Sequence, residues 1–148
     1  MKTNGFGLLT AAVLFCVPAS QTFARDLGPL VRKHKFTLVN LTQTSGGDTG
    51  GAEGINDDGW VVGYANSSVG SNSSNAFVYD AQDGFRFLPT LPGGRNTAAV
   101  SINKHGQSVG STELNHQIRA LLWTKSGELV DLHPGPEWTE SSASWITD

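Results

Sequence analysis

The feature that most constrains this chain is an internal repeat at a spacing of 47 residues. A shift of 47 positions aligns, without a gap, Ile55-Asn56 with Ile102-Asn103 and Val62-Gly63 with Val109-Gly110. Further along, the spacing falls to 44, and Ala76–Tyr79 is superposed on Ala120–Trp123. Repeats of this length pack their apolar residues against neighbouring units, so the chain is predicted to build one core from successive copies.

The change of spacing falls in the polar run Asn66–Ser74, where a surface loop changes length at little cost. The last residues, Ala143–Asp148, match Ala52–Asp57, which indicates that a third unit has begun. We therefore divide the β-repeat domain, residues 36–148, into repeat 1 (36–83), repeat 2 (84–127) and a partial repeat 3 (128–148).

Alternating apolar and polar residues predict four short strands in each unit, and no segment of the repeat domain has a helical period. The predicted strands are 36–41, 52–56, 60–65 and 75–80 in the first unit, then 85–88, 98–103, 107–112 and 119–124. Asn56–Gly59 and Asn103–Gly106 have the composition of hairpin turns, and their register places Ile55 and Val62 in the core. The predicted fold class is all-β, built of tandem four-stranded antiparallel repeats.

The run Gly-Ile-Asn-Asp-Asp-Gly-Trp-Val-Val-Gly-Tyr at 54–64, the run Asn-Ala-Phe-Val-Tyr at 75–79 and the run Leu-Pro-Thr-Leu-Pro-Gly-Gly at 88–94 together resemble the HAF extracellular repeat family. Asn75 and Arg119 stand where that family has its His, and Leu121 where it has Phe. The resemblance implies bacterial export and a β-propeller-like fold, and it implies no particular reaction. Propellers have about four to eight blades, so we interpret the chain as an incomplete propeller, or as one whose copies self-associate if it ends at Asp148.

The N-terminus has the three-part plan of a secretory signal peptide. Lys2 precedes an apolar run, and the small residue Ala24 precedes Arg25. We predict a signal peptide at 1–24, cleavage between Ala24 and Arg25, and an N-terminal arm at 25–35. The mature chain then has no cysteine and no apolar run long enough to span a membrane, and it is expected to be secreted, either extracellular or periplasmic.

The residues that could serve catalysis or metal binding are carboxylates in turns and four histidines. Asp48, Asp57, Asp58 and Asp83 lie in Gly-rich turns, but the second repeat replaces the first three with Arg95, Lys104 and His105. The four histidines lack the paired spacing of a zinc site, and neither a nucleophile elbow nor a phosphate-binding loop is present. We therefore assign no catalytic, cofactor-binding or metal-binding residue and interpret the protein as non-enzymatic.

One aromatic residue departs from the pattern of the others. Tyr79 and Trp123 share a repeat position, as packing between units requires, whereas Trp60 corresponds to the polar Gln107. Trp60 is accordingly the candidate for an exposed, ligand-binding aromatic.

The net charge of −3 has no basic clustering beyond the N-terminal arm, which argues against nucleic acid as a partner. The function predicted from the sequence is a binding or interaction module for a protein or a glycan. The alternatives are a structural surface or stalk repeat protein, and a hydrolase or lyase that uses paired carboxylates such as Asp131 and Glu137.

Overall fold

A computed structural model describes residues 38–148, save for the side chains of residues 42 and 43. The predicted signal peptide, its cleavage site at Ala24 and Arg25, and the N-terminal arm lie outside the described residues. The regular elements are α1 (Leu41–Ser45), β1 (Gly50–Ile55), β2 (Val61–Asn66), β3 (Ser74–Asp80), β4 (Gly84–Phe87), β5 (Arg95–Ile102), β6 (Ser108–Leu114), β7 (Gln117–Trp123) and β8 (Leu129–Asp131).

The eight strands form two four-stranded antiparallel sheets, with the orders β1-β2-β3-β4 and β5-β6-β7-β8. Each strand pairs with the next one along the chain, so each sheet is a run of consecutive hairpins. The all-β prediction is confirmed, and α1 is a single helical segment of five residues.

The predicted strand at Phe36–Leu41 is wrong in its described part. Residues 38–40 have no regular secondary structure, Leu41 begins α1, and Phe36 and Thr37 lie outside the described residues. The fourth place in the first sheet is taken by β4, which follows β3 through a tight turn at Asp80–Gly84. Closing that short turn costs less chain entropy than bringing in a distant strand. The sheets are therefore out of phase with the sequence repeats, because β4 belongs to the first sheet.

The two predicted hairpin turns are confirmed, and each follows the same design. The backbone N–H of Asn56 donates to the Trp60 carbonyl at 3.1 Å, and that of Asn103 donates to the Gln107 carbonyl at 2.9 Å. The last turn residues, Gly59 and Gly106, have φ of +80° and +76°. Residues that carry a Cβ atom rarely adopt a positive φ, so glycine at these two positions determines where each hairpin reverses direction.

Two further glycines allow neighbouring strands to approach closely. A Cβ atom at Gly63, in β2, would collide with the carbonyl oxygen of Gly51, and one at Gly110, in β6, with that of Ala98. Gly63 and Gly110 share a repeat position, and both obstacles are backbone atoms that cannot rotate away. The same residue is thus required in both sheets for the same steric reason.

The core lies between the two sheets and unites residues at several repeat positions. Its buried members are Val62, Ala76, Val78, Leu88, Ala99, Ile102, Leu121 and Trp123. Trp123 has no exposed surface, and its indole N–H donates to the Pro89 carbonyl at 2.7 Å. Burial of this ring therefore leaves its one polar group satisfied.

The expectation that Ile55 belongs to the core is wrong. Ile55 is 53% exposed, whereas Ile102, at the same repeat position, is 8% exposed and packed in the core. The pleat turns both residues to the same face of their own sheets, and because Gly54, the neighbour of Ile55, lies against Val100 and Ser101 of β5, Ile55 points away from the second sheet. Ile102 has the first sheet to pack on, and no described residue plays that part for Ile55.

The segment between the sheets is fixed by three threonines. The hydroxyls of Thr90, Thr97 and Thr112 lie 2.8 to 3.1 Å from one another, and Thr112 also bonds to the Arg95 carbonyl at 3.1 Å. Thr97 and Thr112 are buried. With the Thr112 hydrogen given to the Arg95 carbonyl, the Thr90 and Thr97 hydroxyls supply the two donors left for the contacts within the cluster. The cluster joins the linking segment to β5 and β6, and each buried hydroxyl has a hydrogen-bond partner.

Residues 141–148 have no regular secondary structure but are held against the second sheet along their length. The N–H of Ser141 donates to the Ile118 carbonyl at 2.9 Å, and the Ser141 hydroxyl accepts from the N–H of Ala120 at 3.0 Å. The N–H of Ile146 reaches the Ser101 hydroxyl at 3.3 Å. The segment matched by sequence to the start of a third repeat therefore lies beside the second sheet, and no described strand pairs with it.

Candidate functional site

The hairpin turns of successive repeats are linked by asparagine side chains. The Nδ2 of Asn56 donates to the backbone carbonyl of Asn103 at 2.9 Å, and the Nδ2 of Asn103 donates to the carbonyl of Thr147 at 3.1 Å. Asn56, Asn103 and Thr147 occupy one repeat position. We call these three residues the asparagine relay. It joins the Asn56–Gly59 turn to the Asn103–Gly106 turn, and that turn to the C-terminal segment, at one end of the sheets.

Asn103 also fixes the amide of Gln107. The Asn103 Oδ1 accepts from the backbone N–H of Gln107 at 3.0 Å, and its Nδ2 donates to the Gln107 Oε1 at 3.0 Å. Because the Gln107 oxygen already accepts this bond, the free end of the side chain is its NH₂ group, which donates two hydrogen bonds. Asn103 is only 5% exposed, so this orientation is set by a buried group.

Trp60 stands next to the second turn. Expected to be exposed, it is half-buried and packed against the core, and the Nζ of Lys125 lies 5.1 Å from the centroid of its ring. Gly106 also lies close, since a Cβ atom there would be 3.3 Å from the indole ring. Trp60 therefore joins the core to the surface and holds an ammonium group over its face.

A shallow open groove lies beside this pair. It is lined by His105, Gln107, Thr124, Lys125 and Ser126, and we call it the turn groove. Its lining combines residues of the β5–β6 turn with residues of the β7–β8 turn and contains no carboxylate.

Arg86 supports the rim of the turn groove from the first sheet, where its Nη2 donates to the Lys125 carbonyl at 3.2 Å. Among the described residues the ion pairs are Lys104–Asp148, His116–Glu113 and Arg119–Asp131. Lys125 and Arg86 take part in none of these pairs, so within the described part of the chain both cations lack an ion-pair partner. The Asp148 carboxylate of the first pair is close enough to His105 of the groove lining to interact with it.

None of the acidic residues considered from the sequence lines this groove. Asp48 accepts from the Thr49 hydroxyl and the Gly70 N–H, both at 3.3 Å, and Asp131 pairs with Arg119 at 3.3 Å. Asp57 and Asp58 are exposed turn residues. Across residues 38–148, the structure shows no group of three or more His, Cys, Asp or Glu placed to hold a metal ion.

Sequence reasoning identified Trp60 but missed Lys125 and Arg86. Neither has a repeated basic partner, and the contacts of Lys125 with Trp60 and of Arg86 with the Lys125 carbonyl form only because the two sheets pack together. The asparagine relay could have been predicted from the sequence. Asn56 and Asn103 are polar residues repeated beside the apolar residues Ile55 and Ile102, and such a repeated polar residue indicates a structural hydrogen bond.

The fold defines a stacked antiparallel β-repeat protein. Comparison of the chain with protein-family models, with curated proteins and with solved structures finds no match. In the part of the chain that the structure covers, no helix is both long and apolar enough to cross a membrane.

Proposed function

We propose that this chain is an exported, non-enzymatic repeat protein of the HAF type, with propeller-like stacking of its sheets, that binds a glycan at the turn groove. The observation that carries the proposal is the pairing of a half-buried Trp60 with a polar groove at the turn end of the sheets. An indole anchored in the core offers a rigid apolar surface, and the amide and hydroxyl groups beside it offer hydrogen bonds.

A glycan fits this arrangement better than a protein does. Protein interfaces of standard size bury about 800 Å² on each partner around a desolvated apolar centre. The turn groove is open, with a volume of about 590 Å³, and most of its surface comes from carbon atoms of side chains that end in polar or charged groups. Sugar rings have apolar faces edged by hydroxyls, so one or two rings match an aromatic side chain set among hydrogen-bonding groups.

The test is binding of the purified full chain to a panel of glycans and envelope proteins, with Trp60→Ala compared to wild type. Trp138→Ala is the matched control, because Trp138 is 57% exposed and, unlike Trp60, forms no cation–π contact with a residue of the groove lining. We expect Trp60→Ala to weaken glycan binding at least about tenfold, which corresponds to about 1.4 kcal/mol. An absence of binding across the whole panel, or equal binding by Trp60→Ala, would contradict the proposal.

Export is tested separately. The full chain is expressed in a bacterial host, and the N-terminus of the protein recovered outside the cytoplasm is sequenced. We expect it to begin at Arg25, and retention of the uncleaved chain in the cytoplasm would contradict export.

One observation favours a second candidate function, in which copies of the repeat build a surface layer or stalk. Val130 and Leu132 are 43% and 41% exposed. Their repeat equivalents are Arg86 and Leu88, and Leu88 is 6% exposed in the core. Sedimentation equilibrium separates the candidates: the stalk function predicts concentration-dependent assembly that Leu132→Asp disrupts, whereas a monomer at all concentrations would exclude it.

A further inference from the structure

We infer that the turn groove selects glycans that carry carboxylate groups, such as chains of uronic acid residues, with Lys125 as the residue that binds the carboxylate. This inference rests on the proposed function of the groove and adds the chemical class of its ligand. It follows from the balance of free hydrogen-bond donors and acceptors at the groove, and from the charge there.

The side chains of the groove have donors to spare. Gln107 directs its NH₂ group outward because Asn103 occupies its oxygen. The hydroxyls of Thr124 and Ser126 lie 2.8 Å apart, and the Thr124 oxygen also accepts from the N–H of Glu128 at 3.0 Å. One hydroxyl hydrogen serves the Thr124–Ser126 bond and the other is free to donate. A ligand rich in acceptor oxygens satisfies this arrangement.

The charge of the groove points in the same direction. Lys125 contributes an ammonium group with three donors and no acceptor. Glu128 is the acidic residue of the same turn, and among residues 38–148 its carboxylate forms no ion pair with Lys125 or with Arg86. The acid close to the lining residue His105 is Asp148, which is paired with Lys104. The Lys125 ammonium group, which has no ion-pair partner among the described residues, therefore favours an anion over a neutral ligand of the same shape.

Trp60 places the ammonium group where a ligand can use it. The Nζ of Lys125 lies 5.1 Å from the ring centroid, within the range of a cation–π contact. A lysine held in this way loses less side-chain entropy when a carboxylate binds than a lysine that moves freely in water. The smaller entropy loss makes binding tighter. Trp60 is thus a positioning residue for Lys125.

The distinguishing experiment uses two ligands of one backbone: oligogalacturonate of four to eight residues, and the same oligomer with its carboxylates methyl-esterified. Affinities are measured by calorimetry at low ionic strength for the full chain, for Lys125→Gln and for Arg95→Gln. Arg95→Gln is the charge-matched control, since Arg95 is exposed, forms no ion pair within the described residues and is absent from the groove lining. Circular dichroism confirms that each variant is folded.

We expect the acid to bind at least about tenfold more tightly than its ester, because a hydrogen bond between an ammonium group and a carboxylate is stronger than one to a neutral ester. Lys125→Gln should remove that preference and Arg95→Gln should keep it. Equal affinity for acid and ester, or a preference that survives Lys125→Gln, overturns the ligand class while leaving a glycan site intact. Lys125-dependent binding of a sulfated glycan without binding of the galacturonate overturns the carboxylate assignment. Absence of binding to any glycan overturns the proposed function as well.

Discussion

The side-chain amide of Asn56 donates to the backbone carbonyl of Asn103, its own counterpart one repeat later, across 2.9 Å. Asn103 makes the same bond to Thr147 at 3.1 Å. Each asparagine therefore donates to the backbone at the same position of the following repeat. Its Oδ1 atom accepts from the backbone of its own hairpin, at Trp60 or Gln107. One residue type sets the shape of each turn and the alignment of neighbouring turns together.

Loss of this side chain should destabilise the fold. Asn103→Ala removes two donated bonds and two accepted bonds around a residue that is 5% exposed. We expect a fall of about 1–3 kcal/mol in the free energy of unfolding, measured by urea denaturation, because groups left buried and unpaired carry the desolvation cost. Asn72→Ala is the control, at an exposed loop position, and should stay within about 0.5 kcal/mol of wild type. Equal stability of the two variants would show that the relay contributes nothing.

Glycine at the centre of each sheet should be irreplaceable. Gly110→Ala drives a methyl group into the Ala98 carbonyl, so the strands must separate or the variant must fail to fold. Gly59→Ala is the comparison: it meets no atom within 4 Å but keeps a φ of +80°, which costs an L-residue about 1–2 kcal/mol. We expect soluble, cooperatively unfolding protein from Gly59→Ala alone. Recovery of native-like Gly110→Ala would mean that the sheet adapts to the added atom.

The buried indole of Trp123 should matter for its volume and for its N–H. Trp123→Phe leaves a cavity and deprives the Pro89 carbonyl of a bond of 2.7 Å, and we expect a loss of about 2–4 kcal/mol. Trp145→Phe, at a side chain that is 78% exposed, should change the free energy of unfolding by less than about 0.5 kcal/mol. Comparable losses in both variants would contradict the placement of Trp123 in the core.

Attachment of residues 141–148 should depend on pH. The backbone N–H and then the ammonium group of Lys104 bond to the Asp148 carboxylate, and they lower the pKa of that carboxyl below its usual value. Because the folded pKa is the lower one, the contact is fully formed above the pKa of the unfolded chain and is lost as the pH falls through the folded pKa. The protection of the Lys104 amide, measured as its hydrogen-exchange rate relative to the intrinsic rate at each pH, should therefore fall in acid, and Asp148→Asn should abolish the change. A rate that follows only intrinsic exchange would argue against the contact.

Local features of the fold could be predicted, and the partners of its strands could not. Alternation and the turn residues located the two hairpins at Asn56–Gly59 and Asn103–Gly106 because those signals lie within a few residues. The strand expected at Phe36–Leu41 was wrong over residues 38–41, since an alternating run does not say which strand it pairs with. The exposure of Ile55 could not be predicted for a related reason. Two residues at one repeat position differ in burial when only one of them has a neighbouring sheet to pack on.

The candidate site divides in the same way. Trp60 could be singled out because its counterpart is Gln107, a comparison available in the sequence. The contribution of Lys125 depends on how far the β7–β8 turn lies from Trp60, and sequence spacing does not contain that distance. The threonine cluster is likewise absent from the repeat, because Gly50 and Ala65 stand at the positions of Thr97 and Thr112.

The asparagine relay also bears on how such a chain can grow by duplication. Its acceptor is a backbone carbonyl, which every residue possesses, and this is why Thr147 accepts from Asn103 as readily as Asn103 accepts from Asn56. Only the donor position restricts the choice of amino acid, and only where another unit follows. A newly duplicated unit can therefore accept the asparagine hydrogen bond of the unit before it, whatever residue stands at the acceptor position. An asparagine at that position is needed only when a further unit follows.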